Sequence, residues 1–349
     1  MNSLIEYVEQ LNCSDQAERT YAAEDIGYLN TSDGVPALLE RLVREPSPAV
    51  REAIFQALIR IDGDPAIEGC VLLLGSEAPQ IRNQAVDVLR RKGSRSIPFL
   101  RAVMRDGNRD VRKLVLDVLS GTPVAGAVEI YAAALGDDDL NLVITAVENL
   151  GKARSEEFRT RIEELLLAGS HAMLVTACVE ALVGIGNKAS WVVIRKRFPN
   201  LAALPDLYLA PCLKAVAALG SAHEFAEVAS LLPLRAAHLR PAILSAIIAT
   251  YPCSPSPELV EALLPALRAV AENGDPPLCR YQAVLALGFM ATRDEVYSLL
   301  VACLSSPERL IRLGAIESLR KAARQGLDNM LARRAETETD EEVLQALTC

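Results

Sequence analysis

The side chains that metal or nucleophile chemistry would draw on are few in this sequence and badly spaced for it. Three histidines, His171, His223 and His238, fall in no His-x-x-x-His or His-Glu-x-x-His arrangement, and His223-Glu224 stands alone, so no metal centre is expected. Eight cysteines (Cys13, Cys70, Cys178, Cys212, Cys253, Cys279, Cys303 and Cys349) are scattered with no Cys-x-x-Cys pair and no local histidine. Zinc spacing is absent, and Cys178 and Cys279 read as small core residues of a reducing compartment. Neither G-x-G-x-x-G nor G-x-x-x-x-G-K-[ST] occurs; Gly184-Ile185-Gly186-Asn187-Lys188 follows a helical pattern instead of a strand, where glycines serve as C-caps. No cofactor is expected.

What remains is charge at a regular interval. Glu24, Gln56, Asp87, Asp117, Glu148, Glu180 and Glu317 recur about every thirty residues. Each follows an apolar residue: Ala23, Phe55, Val86, Leu116, Val147, Val179 and Ile316. Carboxylates so far apart along the chain form no local acid/base pair; aligned on stacked elements, they would recognise cationic groups.

The element that must align them is a repeated helix. An aliphatic anchor is followed by apolar residues four, eight and often eleven positions later, one face of an α-helix. Counting the anchor as offset zero, copies begin at Glu18, Val50, Ile81, Val111, Leu142, Leu174, roughly Pro211, Arg240, Cys279 and Ile311. The carboxylates stand at offset 6 and the apolar strip at offset 5. Between anchors there is room for one more helix, such as Val35 to Leu42 or Ser96 to Met104, with proline near its start, where its missing N–H costs little. Breakers such as Arg44-Glu45-Pro46-Ser47-Pro48 and Asp62-Gly63-Asp64-Pro65 separate the helices. The unit is an A helix followed by an anchor-bearing B helix, and the fold class is all-α.

The stretches Pro48-Ala49-Val50-Arg51-Glu52-Ala53-Ile54-Phe55-Gln56-Ala57-Leu58 and Asp106-Gly107-Asn108-Arg109-Asp110-Val111-Arg112 resemble the HEAT-repeat (armadillo-like) family, in particular its short bacterial versions. The resemblance runs from about residue 4 to 347 and is weakest between about 190 and 275. It implies a right-handed α-α superhelix, a HEAT-like solenoid of about ten helix pairs, with a final short helix near Glu341 to Leu347 as a cap. It further implies that the arginine at offset 1 (Arg19, Arg51, Arg82, Arg112, Arg280, Arg312) ties adjacent repeats through acidic or carbonyl partners in the turns, and that B helices line the concave side. Val143, Val175, Cys212 and Pro241 replace this arginine in the middle copies. Three segments are expected: 1–190, regular repeats; 191–275, irregular low-charge repeats with many prolines; and 276–349, regular repeats with the capping helix. The low-charge stretch is open to two readings, a flexible joint or an apolar patch for a partner.

HEAT-like enzymes are poorly matched. Deoxyhypusine hydroxylases of this fold need several His-Glu pairs, and alkylpurine DNA glycosylases line a basic face with tryptophans, whereas Trp191 is the only tryptophan and sits in an expected A helix. Phycobilin lyases of the E/F type carry aromatic-rich grooves, while this chain is 51% hydrophobic but only 4% aromatic. A lyase-like enzyme or lyase accessory stays open as an alternative.

A net charge of −9 disfavours a nucleic-acid surface. One segment differs: residues 82–113 hold ten basic side chains against three acidic ones. Arg90, Arg91, Arg95, Arg101 and Arg105 are therefore candidates for anion binding, against the plainer account of solvated repeat edges. The first residues lack the basic region of a signal peptide, and apolar runs fall short of a membrane span, so a cytoplasmic protein is expected.

The most concrete expectation is a non-enzymatic scaffold whose concave B-helix face binds another protein. Its proposed contacts are Glu24, Phe55, Asp87, Asp117, Glu148 and Glu180, carboxylates steering basic groups and the strip burying aliphatic ones. An ordinary solvated face competes with this: Asp87 with Arg91, Glu148 with Lys152 and Glu317 with Lys321 are i,i+4 pairs in the favourable order, each contributing about 0.2–0.5 kcal/mol.

Overall fold

The computed structural model describes residues 3–120, 126–322 and 324–348, apart from the side chain of Asp106. Cys349, among the cysteines considered above, and the Asp106 side chain, among the acids of the basic segment, lie outside the described residues. Helices pair in the expected A-then-B order, and no strand occurs among the described residues.

The chain divides into two compact units, Met1–Phe158 and Arg159–Cys349. Among the described residues the first holds five helix pairs: α1 (Leu4–Gln10) with α2 (Gln16–Leu29), α3 (Val35–Arg44) with α4 (Pro48–Arg60), α5 (Asp64–Leu73) with α6 (Pro79–Lys92), α7 (Ile97–Asp106) with α8 (Arg109–Leu119), and α9 (Ala127–Ala134) with α10 (Leu140–Lys152). The second holds six: α11 (Arg159–Ala168) with α12 (Ala172–Ile185), α13 (Lys188–Arg197) with α14 (Asp206–Leu219), α15 (Phe225–Leu231) with α16 (Arg240–Thr250), α17 (Pro257–Asn273) with α18 (Pro277–Gly288), α19 (Asp294–Cys303) with α20 (Arg309–Ala322), and α21 (Leu327–Ala335) with α22 (Glu341–Thr348). The short C-terminal helix expected as a lone cap is thus the second half of a further pair.

Local chemistry sets the boundaries. The Asp15 carboxylate accepts from the Ala17 and Glu18 N–H groups at 2.7 and 3.1 Å, and Ser47, Asn108, Asn187 and Ser256 cap α4, α8, α13 and α17 in the same way. Proline occupies the first turn of α3 to α7.

Burial corrects the register of two copies. In α4 the buried positions are Val50, Ala53, Ile54, Phe55, Ala57, Leu58 and Ile61. The same pattern in α14 is Pro211, Cys212, Leu213, Ala215, Val216 and Leu219, which places the anchor at half-buried Tyr208, three residues before the expected Pro211. In the next B helix it places the anchor at Leu239, one residue before Arg240. Arg240 therefore stands at offset 1, the arginine position, and Leu209 replaces the arginine one copy earlier. The largely apolar α14 and α16 have side chains of similar character on most sides, so periodicity alone does not select their buried face. One long step remains, from Leu239 to Cys279, and it accommodates the 17-residue α17.

The offset-1 arginines do what the resemblance implied. Five donate to carbonyls in the turn that precedes their own helix: Arg19 to Cys13 and Ser14, Arg51 to Glu45 and Pro46, Arg82 to Ser76 and Glu77, Arg112 to Gly107, and Arg312 to Ser306 and Pro307, whereas Arg280 donates to the Ala271 carbonyl in the last turn of α17. Four also reach an acid in the following repeat: Arg19 to Glu45, Arg112 to Asp137, Arg280 to Glu308 and Arg312 to Glu338. The guanidinium fork suits this double task, since it presents five donors in one plane.

Neighbouring B helices touch closely where offset 9 of one meets offset 7 of the next. A β-carbon on Gly27 would lie 2.8 Å from the Ala57 Cα, and one on Gly288 would lie 2.9 Å from the Ser318 Cα. Gly288→Ala is therefore expected to destabilise the protein by about 1–3 kcal/mol through overpacking, although alanine is the better helix former. Equilibrium urea unfolding of the two proteins checks this.

Candidate protein-binding face

In the first unit the offset-6 side chains lie on the five consecutive B helices α2, α4, α6, α8 and α10. Asp87, Asp117 and Glu148 are exposed, and Glu24 and Gln56 are half-buried. Asp87 pairs at 3.1 Å with Arg90, one turn along α6, and not with the expected Arg91. Among the described residues, Glu24, Asp117 and Glu148 have no cationic partner, so the expected Glu148–Lys152 pair is not formed; Glu317 and Lys321 do pair, at 3.0 Å.

In the second unit the row does not continue as carboxylates. With the corrected anchors, offset 6 carries Glu180, Lys214, Ser245, Leu285 and Glu317. Glu180 is held by Lys214 at 3.2 Å, so this carboxylate is already neutralised by the neighbouring copy of its own position.

The apolar strip expected beside the carboxylates is not a surface. Ala23, Phe55, Val86, Leu116, Val147, Val179 and Ile316 are all buried, with Phe55 only 2% exposed. Phe55 is a core residue and cannot touch a partner. The reason is geometric: an interior B helix such as α4 is covered by its own A helix and by the B helices before and after it, and the buried arc is wide enough to take in offset 5 as well as 4 and 8.

The basic segment 82–113 is largely occupied by the fold. Arg95 meets Asp62 at 3.1 Å, Arg101 meets Glu129 at 3.8 Å, and Arg90 divides itself between Asp87 and the Asp117 carbonyl. Arg109 and Lys113 share Asp139. The hydrogen bond from Arg109 lowers the Asp139 carboxyl to about 2 against the opposing effect of burial, helped by the Asn141 N–H and Lys113. Lys92 turns inward to the Ile59 and Ile61 carbonyls at 2.8 and 2.6 Å, and burial lowers its ammonium from the ordinary lysine value. Of the five anion-binding candidates, Arg91 and Arg105 alone form no ion pair with a described residue.

Other singled-out residues have structural roles. Glu224, of the His223-Glu224 pair, accepts from the Trp191 indole at 2.9 Å and from Ser221, and Gly186 is the C-cap of α12. Cys178 and Cys279 are core residues as expected, and burial pushes the Cys178 thiol up to about 12. Among the described residues no group of three or more His, Cys, Asp or Glu is placed to hold a metal ion, and no helix is long and apolar enough to cross a membrane. A broad cleft near the end of the second unit is lined by Arg320, Arg324, Leu327 and Leu331 among others, and the described residues lining it include neither a cysteine nor an aromatic ring.

One concavity on the first unit involves the row itself. Thr20, Glu24 and Tyr28 of α2 face Ala49, Glu52, Ala53, Gln56 and Arg60 of α4. Tyr28 is 68% exposed, and the Arg60 guanidinium lies 4.2 Å from its ring centre. Glu52 accepts from Gln56 at 2.7 Å and from Gln84 at 2.9 Å. Of these residues the sequence offers Glu24 as a contact and Gln56 only as a member of the offset-6 series, and it singles out none of Tyr28, Glu52 and Arg60. The signal was there: Tyr28 and Arg60 share offset 10 in neighbouring copies.

The family profile for HEAT repeats matches residues 6–90. The match lies within the first unit, from α1 to α6. Beyond the matched residues the repeats carry the same buried register to Val343 and Leu347. No curated protein matches the sequence. Among solved structures, the fold is similar to Kap121p carrying three acid-to-lysine substitutions, with a TM-score of 0.64 and 13% identity over 99% of this chain and 44% of that one. It is also similar to Kap121p bound to Pho4p, with a TM-score of 0.62 and 12% identity over 98% of this chain and 43% of that one. The fold is that of a helical solenoid, and the chain spans less than half the length of the Kap121p chains it matches.

Proposed function

We propose that this protein is a HEAT-repeat, non-enzymatic scaffold or adaptor, and that the B-helix face of its first unit binds a basic segment of another protein. The observation that carries this reading is the state of the carboxylates. Glu45, Asp137, Asp139 and Glu338 are spent on arginines or lysines of the fold. Asp117 and Glu148 on the B-helix face are exposed with no cationic partner among the described residues. Exposed carboxylates left without a counterion on neighbouring stacked helices are a surface for a partner of opposite sign. That one of the matched Kap121p structures holds Pho4p supports reading a stacked-repeat surface as a protein-binding one. With offset 5 buried, the aliphatic contribution expected from the strip falls away, and basic groups become the main chemistry of the partner.

The test is fluorescence anisotropy with labelled peptides in which lysine or arginine alternates with leucine, against the same peptides with glutamate at the basic positions. Binding of the basic peptides alone is expected, weakening as salt is raised, with at least a tenfold loss in a protein carrying Asp87→Lys, Asp117→Lys and Glu148→Lys together. Equal affinity in that variant, or no binding of any basic peptide, removes the proposal.

A further inference from the structure

The groove between α2 and α4 shows how the fold itself treats a cation at this face. Arg60 is exposed, forms no ion pair with a described residue, and lays its guanidinium over the equally exposed Tyr28 ring. Planar guanidinium on an aromatic face is a favourable contact even where water competes. The groove floor is formed by the small side chains Ala49 and Ala53, which leave room for a methylene stem, while Glu24 and Glu52 supply carboxylates on its two helices.

We infer that this groove seats one arginine side chain of the partner, and that Arg60 is its intramolecular stand-in, displaced from Tyr28 when the partner binds. The inference rests on the function proposed above, narrowing it to one side chain at one place. The incoming guanidinium would stack on Tyr28 as Arg60 does and point its donors at Glu24 or Glu52. Those two carboxylates differ in readiness: Glu52 is already bonded to Gln56 and Gln84, whereas Glu24 has no cationic partner among the described residues. Glu24 therefore makes the stronger contribution. Arg60 opposes binding, because the partner must replace it.

Two measurements separate this inference from the broader reading. The first uses Nα-acetyl-arginine methylamide, with the lysine analogue as comparison, titrated into protein carrying ¹³C-labelled tyrosine rings; the Tyr28 resonance is identified by its absence from Tyr28→Leu. The arginine compound is expected to shift Tyr28 at lower concentration than the lysine compound does, and Glu24→Gln is expected to weaken the effect. Arg60→Ala is expected to tighten binding by about two- to fivefold, the size of an exposed cation–π contact. No shift at Tyr28, or an unchanged or weaker affinity in Arg60→Ala, overturns the inference. The second repeats the peptide titration with Tyr28→Leu and Arg60→Ala. Basic peptides that still lose affinity through Asp87, Asp117 and Glu148, yet ignore both groove changes, would leave the broader function standing and remove the arginine seat. Tyr28 and Arg60 are exposed, so both variants are expected to keep the parent unfolding midpoint, which serves as the control.

Discussion

Phe55→Ala is expected to lower the unfolding free energy by about 3–5 kcal/mol, the usual cost of emptying a buried aromatic site. Phe55 lies on α4 among Ile54, Ala57 and Leu58 and is 2% exposed, so truncation leaves a void that neighbouring helices close only in part. A leucine there keeps most of the volume and is expected to cost considerably less. Denaturant unfolding of the full chain, followed by far-ultraviolet circular dichroism, checks both. A loss below about 1 kcal/mol in the alanine variant would mean that Phe55 is not part of the core. Because each repeat rests on its neighbours, the loss is expected to fall on the first unit, and a second transition appearing in the unfolding curve would report that.

Glu45→Ala is expected to cost about 3–5 kcal/mol for a different reason. The Glu45 carboxylate is fully enclosed and receives Arg19 through two hydrogen bonds of 3.0 Å, Arg41, and the Ser47 N–H at 2.9 Å. Its removal leaves the Arg19 guanidinium buried with only the Cys13 and Ser14 carbonyls, and a buried charge stripped of its counterion is among the costliest single changes. The same site gives a pH signature. Burial pushes the Glu45 carboxyl up, but hydrogen bonds from Arg19, the Ser47 N–H and Arg41 outweigh this and hold it at about 2. The folded protein therefore binds this proton less tightly than the unfolded chain. The stabilisation is complete above about pH 4.5 and is lost as the pH falls through about 2. In Glu45→Gln this part of the acid dependence is expected to disappear. Unfolding midpoints between pH 2 and 6 for the two proteins measure it, and parallel curves would show that Glu45 does not carry the effect.

The two variants also mark where sequence reading succeeds and where it stops. Arg19 is legible as a tie between repeats because an arginine recurs at offset 1, and its partner, Glu45, lies in the turn between the two helices of the next repeat as that role requires. Phe55 was read as part of a surface strip because helical periodicity says which residues share a face but not how wide an arc neighbouring helices cover. The basic segment 82–113 shows a third case: its excess charge is real in the sequence, yet Asp62, Glu129, Asp137 and Asp139, which offset it, all lie outside the segment.

What the sequence by itself determined was local and repeated: the all-α class, the alternation of A and B helices, their caps, and the anchors of the regular copies. These follow from a 3.6-residue period and from capping chemistry within a few residues of each helix end. Only the tertiary structure decided the anchors Tyr208 and Leu239, the burial of offset 5, the pairing of Glu180 with Lys214, and the meeting of Tyr28 with Arg60. Each of these depends on a side chain about one repeat away along the chain, and its distance from that partner is set by how closely the B helices pack.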